Sequence, residues 1–169
     1  MDHKQFAATI TADELAQLNE TSDGPRLRHL TGHLGLIVGL GTLIAFGAPL
    51  WQAALLAQGI AICFLFTLEH EASHKTPFRT VWLNEWVGRF CGLMILLPFT
   101  WFRYFHLAHH RHTNIPRKDP ELAAGAKPET WPAYVSFVSG VPYWWGMSRQ
   151  IIGNALGRDY RSAMDAWYI

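Results

Sequence analysis

Two short clusters contain five of the nine histidines in this chain. The first has the pattern H-E-x-x-H and runs from His70 to His74, and the second has the pattern H-x-x-H-H at His106, His109 and His110. On a helix, residues three or four positions apart lie on the same face, one turn from each other. Each cluster therefore presents its imidazoles on one side, which is how chelating metal ligands are arranged.

The elements that position these clusters follow from the distribution of charge. From Leu30 to Leu68 there are 39 consecutive residues without Asp, Glu, Lys or Arg. A helix that spans a bilayer needs about 20 apolar residues, so this stretch is long enough for two. Gly47-Ala48-Pro49 lies near its middle, and Gly and Pro commonly mark turns. We predict a transmembrane hairpin with spans from His33 to Leu50 and from Trp51 to Leu68.

The first 29 residues are polar and richly charged, and we predict a cytoplasmic lead-in followed by a membrane domain over residues 30–169. A secretory signal peptide would instead place an apolar core behind a short basic segment. Thr11 and Glu14 have the spacing of a helix capping box.

The net charge of +1 and the lack of a Lys/Arg-rich helix give no support for a nucleic-acid partner. Cys63 and Cys91 lie in apolar stretches without a C-x-x-C pair, so we predict two small buried side chains and no disulfide.

Basic residues flank the predicted hairpin at both ends and are absent from its turn, which predicts that both ends face the cytoplasm. The next apolar run, Phe90 to Phe102, has only 13 residues between Arg89 and Arg103, too few to cross as a helix. We predict that it enters the membrane and returns, or lies along the surface. His74 and His106 then share the cytoplasmic side. The flanking basic residues are Lys4, Arg26 and Arg28 before the hairpin, and Lys75, Arg79, Arg89, Arg103, Arg111, Arg117 and Lys118 after it.

A second aromatic and apolar segment runs from Trp131 to Ile152 and is divided at Gly140-Val141-Pro142. Arginines lie within it and after it, at Arg149, Arg158 and Arg161. Because a full crossing would move these arginines to the outer side, we favour a re-entrant or in-plane segment. A third span is the alternative.

Taken alone, H-E-x-x-H is the zinc-protease signature, in which two histidines bind zinc and the glutamate activates water. Its extended form requires Gly and His where Pro77 and Thr80 stand, although Glu85 remains as a possible third ligand. The pair Glu71 and His74 also matches half of a ferritin-like di-iron motif, but no second copy exists. Five imidazoles exceed the needs of one tetrahedral zinc, so two metal ions explain the pattern more simply.

The order of these features resembles the integral-membrane fatty acid desaturases and the related lipid and carotenoid hydroxylases and ketolases. The shared features are the span pair, H-x-x-x-H, a short surface segment, and H-x-x-H-H followed by Thr113-Asn114, over roughly residues 30–165. The resemblance implies an all-α integral membrane helical bundle that holds two irons in histidine boxes at its cytoplasmic edge. It also implies oxygen as co-substrate, a lipid acyl substrate, and an external electron donor of the ferredoxin, rubredoxin or cytochrome b5 type.

Carried over residue by residue, the resemblance implies that five histidines ligate iron, namely His70, His74, His106, His109 and His110. A ligating imidazole needs its other ring nitrogen oriented by a carboxylate or a carbonyl, and Glu69, Glu71 and Asp119 are the nearest candidates. We expect His112 to point away from the shared face. His29 and His33 lie at the entrance to the first span, where a polar residue commonly reaches the interface.

The family pattern includes a third histidine box, whereas no histidine follows His112. We therefore expect an N-terminal fragment whose remaining iron ligands lie beyond Ile169. The function predicted is a membrane-bound, oxygen-dependent desaturase that introduces a double bond into a lipid acyl chain. A hydroxylase or ketolase of the same superfamily is the alternative, and a membrane zinc peptidase is a more remote one. The acyl chain is expected between the spans, near Ile62, Phe64, Leu65 and Phe66.

Overall fold

The computed structural model describes residues 2–123 and 128–158, and every regular element in these ranges is an α-helix. The all-helical class predicted from the sequence is therefore confirmed. The predicted domain over residues 30–169 extends past the described residues, and Arg161 lies outside them. The helices are α1 (His3–Ala7), α2 (Ala12–Leu18), α3 (Asp23–Ala45), α4 (Trp51–Cys63), α5 (Leu65–Ser73), α6 (Val81–Met94), α7 (Phe99–His112), α8 (Pro120–Ala123), α9 (Trp131–Val138) and α10 (Val141–Ala155).

The first arm of the predicted hairpin is α3, a helix of 23 residues. It begins at Asp23, ten residues before the predicted span. Pro25 lies in its first turn, where proline is tolerated, and the polar residues that follow continue the helix. It ends at Ala45. Gly47 follows with a φ of 60°, a left-handed conformation that glycine adopts readily, so the predicted turn is confirmed.

The second arm consists of α4 and α5, which are separated only by Phe64 and together form the apolar segment Trp51–Ser73 of 23 residues. By length and composition, this segment and the helical stretch Ala12–Ala45 are each able to cross a membrane. The number of segments able to cross a membrane becomes three if α6 and α7 are counted as one broken span. Since α5 is the last part of the second arm, the first histidine cluster lies at the end of that arm.

A histidine joins the two arms where the second is interrupted. His33 Nε2 lies 2.8 Å from the carbonyl oxygen of Ala61, three residues before the break at Phe64. His33 is half-buried between α3 and α4, where the second arm supplies it with a hydrogen-bond partner inside the hairpin. His29, one turn earlier, is exposed.

The apolar run Phe90 to Phe102 is divided between two helices, as its proline predicts. α6 ends at Met94, α7 begins after Pro98, and the two axes are bent by 102°. Gly92 lies at the inner side of this elbow, where a Cβ would overlap the carbonyl oxygen of Leu97 and approach the Glu69 carboxylate. The absence of a side chain at this position is what lets the chain fold back so tightly.

The buried core lies where α5, α6 and α7 meet, next to the elbow. Asn84 is fully buried, and its amide accepts from the backbone N–H of Phe78 and donates to the carbonyl of the same residue. Asp23 accepts hydrogen bonds from the N–H and the hydroxyl of Thr80, which joins α3 to the start of α6. Fully or nearly buried apolar members of this core include Leu65, Phe78, Cys91, Ile95 and Phe102.

Both cysteines are free thiols, as predicted, but only Cys91 is buried. The prediction of two buried side chains is wrong for Cys63, which is exposed on α4. The buried residue of α4 is Ala61, and a position two residues further along a helix points to the opposite side.

The last described helices, α9 and α10, are separated at Gly140, where the sequence predicts a break. They have 8 and 15 residues, so neither reaches the length of about 20 residues that a straight crossing requires. The Tyr143 hydroxyl donates to the carbonyl oxygen of Ile95 at 3.0 Å and attaches α10 to the elbow. At the other end of the chain, Thr11 and Glu14 form the predicted capping box of α2.

Candidate metal centre

Four imidazoles from the two clusters converge between α5 and α7. The ligand nitrogens of His70, His74, His106 and His110 all lie within 4.8 Å of one another. The Nε2 atom of His106 is 2.8 Å from Nε2 of His74 and 2.9 Å from Nε2 of His110. Two helices far apart in sequence therefore bring their histidine faces into one site.

The local sequence explains why these rings meet. On α5, His70 lies one turn after Phe66, and on α7, His106 lies one turn after Phe102. The two phenylalanine rings pack edge to face at 5.4 Å, and the Phe102 ring stacks on His106 at 5.3 Å. His106 is only 6% exposed. The buried Phe102 ring therefore closes the site on the side towards the core.

The electrostatics of the site favour neutral imidazoles. Burial, followed by the nearby His110 and His70 rings, lowers the pKa of His74 below its ordinary value. A neutral imidazole has a lone pair available for a metal ion, and imidazole suits iron, zinc, copper and nickel. Four imidazole nitrogens that converge in this way form a donor set that fits a bound transition metal.

His109 is placed differently from the other four. Its Nδ1 atom lies 2.9 Å from Oδ1 of Asp119, and its ring centre is 6.4 Å from that of His106. Asp119 is almost completely buried and also accepts hydrogen bonds from the backbone N–H groups of Asn114 and Glu121. Burial by itself would raise the pKa of Asp119, but these hydrogen bonds outweigh it and hold the pKa below the ordinary value.

Comparison with known proteins shows that the chain matches the fatty acid desaturase family over residues 45–167, which is more than half of its length. The chain belongs to this family. The match includes both histidine clusters and the elbow between them. Membership of a membrane enzyme family, together with the two apolar arms, indicates an integral membrane protein.

Several curated members of the desaturase family are similar to the chain. An sn-1 oleoyl-lipid 12-desaturase of Arthrospira platensis is 37% identical over 81 residues, which is 47% of this chain and 23% of that protein. A Delta(12) fatty acid desaturase of Mortierella isabellina is 27% identical over 134 residues, 65% of this chain and 34% of that protein. An sn-1 acyl-lipid omega-3 desaturase (ferredoxin) of Nostoc sp. (strain 36) is 31% identical over 81 residues, 46% of this chain and 23% of that protein. The chain thus spans about a quarter to a third of the length of these desaturases. No solved structure matches it.

Within this member of the desaturase family, the three acidic residues singled out from the sequence have different surroundings. Asp119 contacts His109, as described above. Glu71 lies 3.2 Å from Nδ1 of His70 and accepts a hydrogen bond from the Thr76 hydroxyl at 2.9 Å. Glu69 is fully buried against α6, and neither of its carboxylate oxygens has a hydrogen-bond partner within the described residues.

The remaining candidates lie outside the group of four rings. His112 is not among the residues that converge, in agreement with its spacing on α7. Glu85, considered as a third zinc ligand, instead accepts a hydrogen bond from Arg103 at 2.6 Å. The ligand role of all five predicted histidines, including His109, stays a prediction.

The importance of Arg103 did not emerge from the sequence, where it serves only as a charge flanking an apolar run. Its guanidinium contacts three helices: Glu85 on α6, the carbonyl oxygen of Ala72 on α5 at 3.4 Å, and the Phe99 ring on α7 at 4.5 Å. It lies one turn before His106 on α7. Its position within an amphipathic helix, on the face that carries the histidines, is the signal that would have identified it.

Replacing Arg103 by alanine should loosen the packing between α5, α6 and α7. A hydrogen bond to a charged partner contributes about 1.5–3 kcal/mol, and we expect a loss of that size in the free energy of unfolding. The measurement is the thermal unfolding midpoint of detergent-purified protein. Arg89→Ala, which removes an exposed arginine from α6, is the matched control and should leave the midpoint nearly unchanged. Equal midpoints for the two variants would contradict this role for Arg103.

A cavity of about 520 Å³ lies between α3 and α5, next to the candidate metal centre. Its walls are apolar at Phe64, Leu65 and Leu68 and polar at Arg26 and Glu71. This volume falls in the range of small-molecule sites in proteins. Two of the four residues expected to lie near an acyl chain, Phe64 and Leu65, therefore line a real cavity.

Proposed function

We propose that the complete protein is a membrane-bound acyl-lipid desaturase with two irons held by histidine boxes. One observation carries this proposal: the convergence of four imidazoles from both clusters, in a chain of the fatty acid desaturase family. The names of the similar proteins, which are oleoyl-lipid, Delta(12) and omega-3 desaturases, support desaturation rather than hydroxylation. The overall reaction would remove one hydrogen from each of two adjacent acyl carbons and reduce oxygen to two waters with two electrons and two protons.

The described residues have distinct tasks in this proposal. His70, His74, His106 and His110 would hold metal through their convergent nitrogens, and His109 would supply a further nitrogen. When bound, iron supplies the redox chemistry with oxygen that histidine side chains lack. The buried Phe102 ring, which stacks on His106, would exclude water from the side of the site towards the core.

The substrate, the orientation and the domain division belong to the same proposal. The cavity between α3 and α5 has the mixture of apolar wall and polar rim that suits an acyl lipid at a membrane surface. The basic flanks of the two arms support a cytoplasmic position for the histidines. Residues 1–29 would form the lead-in and residues 30–169 the partial desaturase domain. A ferredoxin, rubredoxin or cytochrome b5 type donor would supply electrons, and the Nostoc relative, whose name includes ferredoxin, favours the first of these.

The zinc peptidase alternative depends on Glu71 acting as the base that activates water. In the structure, the Glu71 carboxylate contacts Nδ1 of His70 and the Thr76 hydroxyl, and it lines the cavity. Its hydrogen bonds therefore keep the Glu71 carboxylate beside Nδ1 of His70 and the hydroxyl of Thr76. It does not lie at the centre of the four rings. This arrangement favours a role in orienting His70 over a role as catalytic base.

The proposal is tested by metal analysis combined with lipid analysis of the complete protein. We expect about two irons per chain and new double bonds in membrane acyl chains when the protein is produced in a host that supplies electrons. Gas chromatography of fatty acid methyl esters identifies the product. A single zinc per chain, or hydroxylated acyl chains without unsaturated ones, would contradict the proposal.

A further inference from the structure

The loop that follows α7 folds back onto the helix and brings one carboxylate to His109. Asn114 adopts a left-handed φ of 60°, which reverses the chain directly after the helix. Asp119 then lies beneath His109 with only 3% of its surface exposed. The Thr113 hydroxyl donates to the His109 carbonyl at 2.8 Å and attaches the loop at its other end.

Three groups approach the Asp119 carboxylate, and two of them are backbone N–H groups. Asn114 N lies 2.7 Å from Oδ2, and Glu121 N lies 2.9 Å from Oδ1. A backbone N–H is always a donor, so both oxygens face donors and the carboxylate cannot rotate without losing a bond. His109 Nδ1 lies 2.9 Å from Oδ1, and since a carboxylate only accepts, that nitrogen must carry the proton.

We propose that Asp119 is a positioning residue that holds His109 as its Nδ1–H tautomer, which leaves Nε2 as the only ring nitrogen available to a metal. A neutral imidazole has one protonated and one free nitrogen, and the hydrogen bond at one decides which is free. The functional meaning of this assignment rests on the proposed iron centre. The tautomer itself is a property of the protein without metal.

The structure distinguishes Asp119 from the other carboxylates near the histidines. Glu121 approaches His109 Nδ1 at 3.5 Å, beyond a good hydrogen bond, and its side chain is 51% exposed. Glu71 approaches His70 at 3.2 Å with a side chain that is 55% exposed. Of the described carboxylates near the histidines, Asp119 alone combines burial with backbone bonds that fix the carboxylate. Glu121 is therefore the matched control, since it has the same charge and lies near the same ring.

The test uses the complete protein with labelled histidine and with metal removed by a chelator. Nitrogen NMR distinguishes Nδ1–H from Nε2–H tautomers, and the His109 signals are assigned by their loss in His109→Gln. We expect His109 to be the Nδ1–H tautomer in the unaltered protein. In Asp119→Asn the amide offers one acceptor to three donors, so we expect the Nε2–H form to become the major one. Glu121→Gln should leave the tautomer unchanged.

Iron affinity provides the second readout. Loss of an outer partner of a metal-bound histidine typically lowers metal affinity about 10–100-fold, and we expect this range for Asp119→Asn. Asp119→Glu, which keeps the acceptor oxygens, should recover part of the loss, and Glu121→Gln should lie within about twofold of the unaltered protein. Unchanged signals from the other histidines would show that the fold is intact in each variant.

Two results would overturn the inference: an Nε2–H tautomer of His109 in the unaltered protein, or an unchanged tautomer and iron affinity in Asp119→Asn. Failure of the proposed function would look different. A protein that makes no unsaturated product but shows the tautomer change would remove the desaturase proposal and leave the positioning of His109 by Asp119 in place.

Discussion

Replacing His106 with alanine is expected to remove metal from the complete protein and abolish the formation of unsaturated lipid. His106 is the central ring of the site, because its Nε2 atom lies within 3 Å of Nε2 of both His74 and His110. It is also the most buried of the four rings. Loss of a hydrogen-bond partner of a metal-bound histidine by itself lowers metal affinity about 10–100-fold. Loss of the His106 ring itself should therefore lower the affinity about 100-fold or more. Elemental analysis and fatty acid chromatography measure the two effects.

His112→Ala is the matched control, since His112 lies on the same helix but outside the converging group. It should retain metal and product. His106→Gln separates loss of the ligand from loss of buried volume, because glutamine fills part of the space without an imidazole. Metal content near that of the unaltered protein in His106→Ala would exclude His106 as a ligand.

Replacing Gly92 with alanine is expected to destabilise the elbow between α6 and α7. The added Cβ would overlap the carbonyl oxygen of Leu97, a backbone atom that cannot move aside like the end of a flexible side chain. It would also press on the buried Glu69 carboxylate. Overpacking of this kind costs about 1–3 kcal/mol and occasionally more. We expect a lower thermal unfolding midpoint and reduced metal content, because the elbow determines where α7 carries His106.

Gly35→Ala is the control, and it should not lower the unfolding midpoint. No described atom lies within 4 Å of the Cβ position at Gly35, on α3. Alanine in a helix is favoured over glycine by about 0.5–1 kcal/mol, so this variant should be unchanged or slightly more stable. Equal unfolding midpoints for Gly92→Ala and Gly35→Ala would show that the contact at Leu97 does not constrain the fold.

The geometry of the candidate metal centre therefore depends on residues other than the four converging histidines. Arg103 links α5, α6 and α7 below the histidines, and Gly92 permits the turn that brings α7 back to α5. Asp119 holds the ring of His109, which does not belong to the group of four converging rings. A functional defect in this chain can consequently arise by loss of a ligand or by a change in the angle at which the helices meet.

Much of the architecture follows from the sequence because it depends on local physical rules. The charge-free stretch of 39 residues is twice the length of a span, and Gly47 with Pro49 marks its turn. Pro98 predicts the break between α6 and α7, and Gly140 the break between α9 and α10. Spacing of three and four residues predicts that the histidines of each cluster lie near one face of a helix.

The sequence was less informative where the exposure of a side chain, or its hydrogen-bond partner, depends on another helix. Cys63 is exposed although it lies among apolar residues, because α4 packs through the side that carries Ala61. The helical spacing of His33 does not predict its hydrogen-bond partner, which is the carbonyl oxygen of Ala61 on the second arm. In both cases the decisive atoms belong to a neighbouring segment, so helical periodicity alone does not determine the outcome.

The sequence by itself determined the two histidine clusters and the two apolar arms, because hydropathy and helical spacing are properties of consecutive residues. Only the tertiary structure decided that His70, His74, His106 and His110 converge while His109 is held by Asp119. The three histidines of the second cluster lie near one face, but about 100° of rotation between neighbouring positions separates His109 from His110. That rotation, together with the loop returning from Asn114, brings one ring to the shared centre and the other to a buried carboxylate.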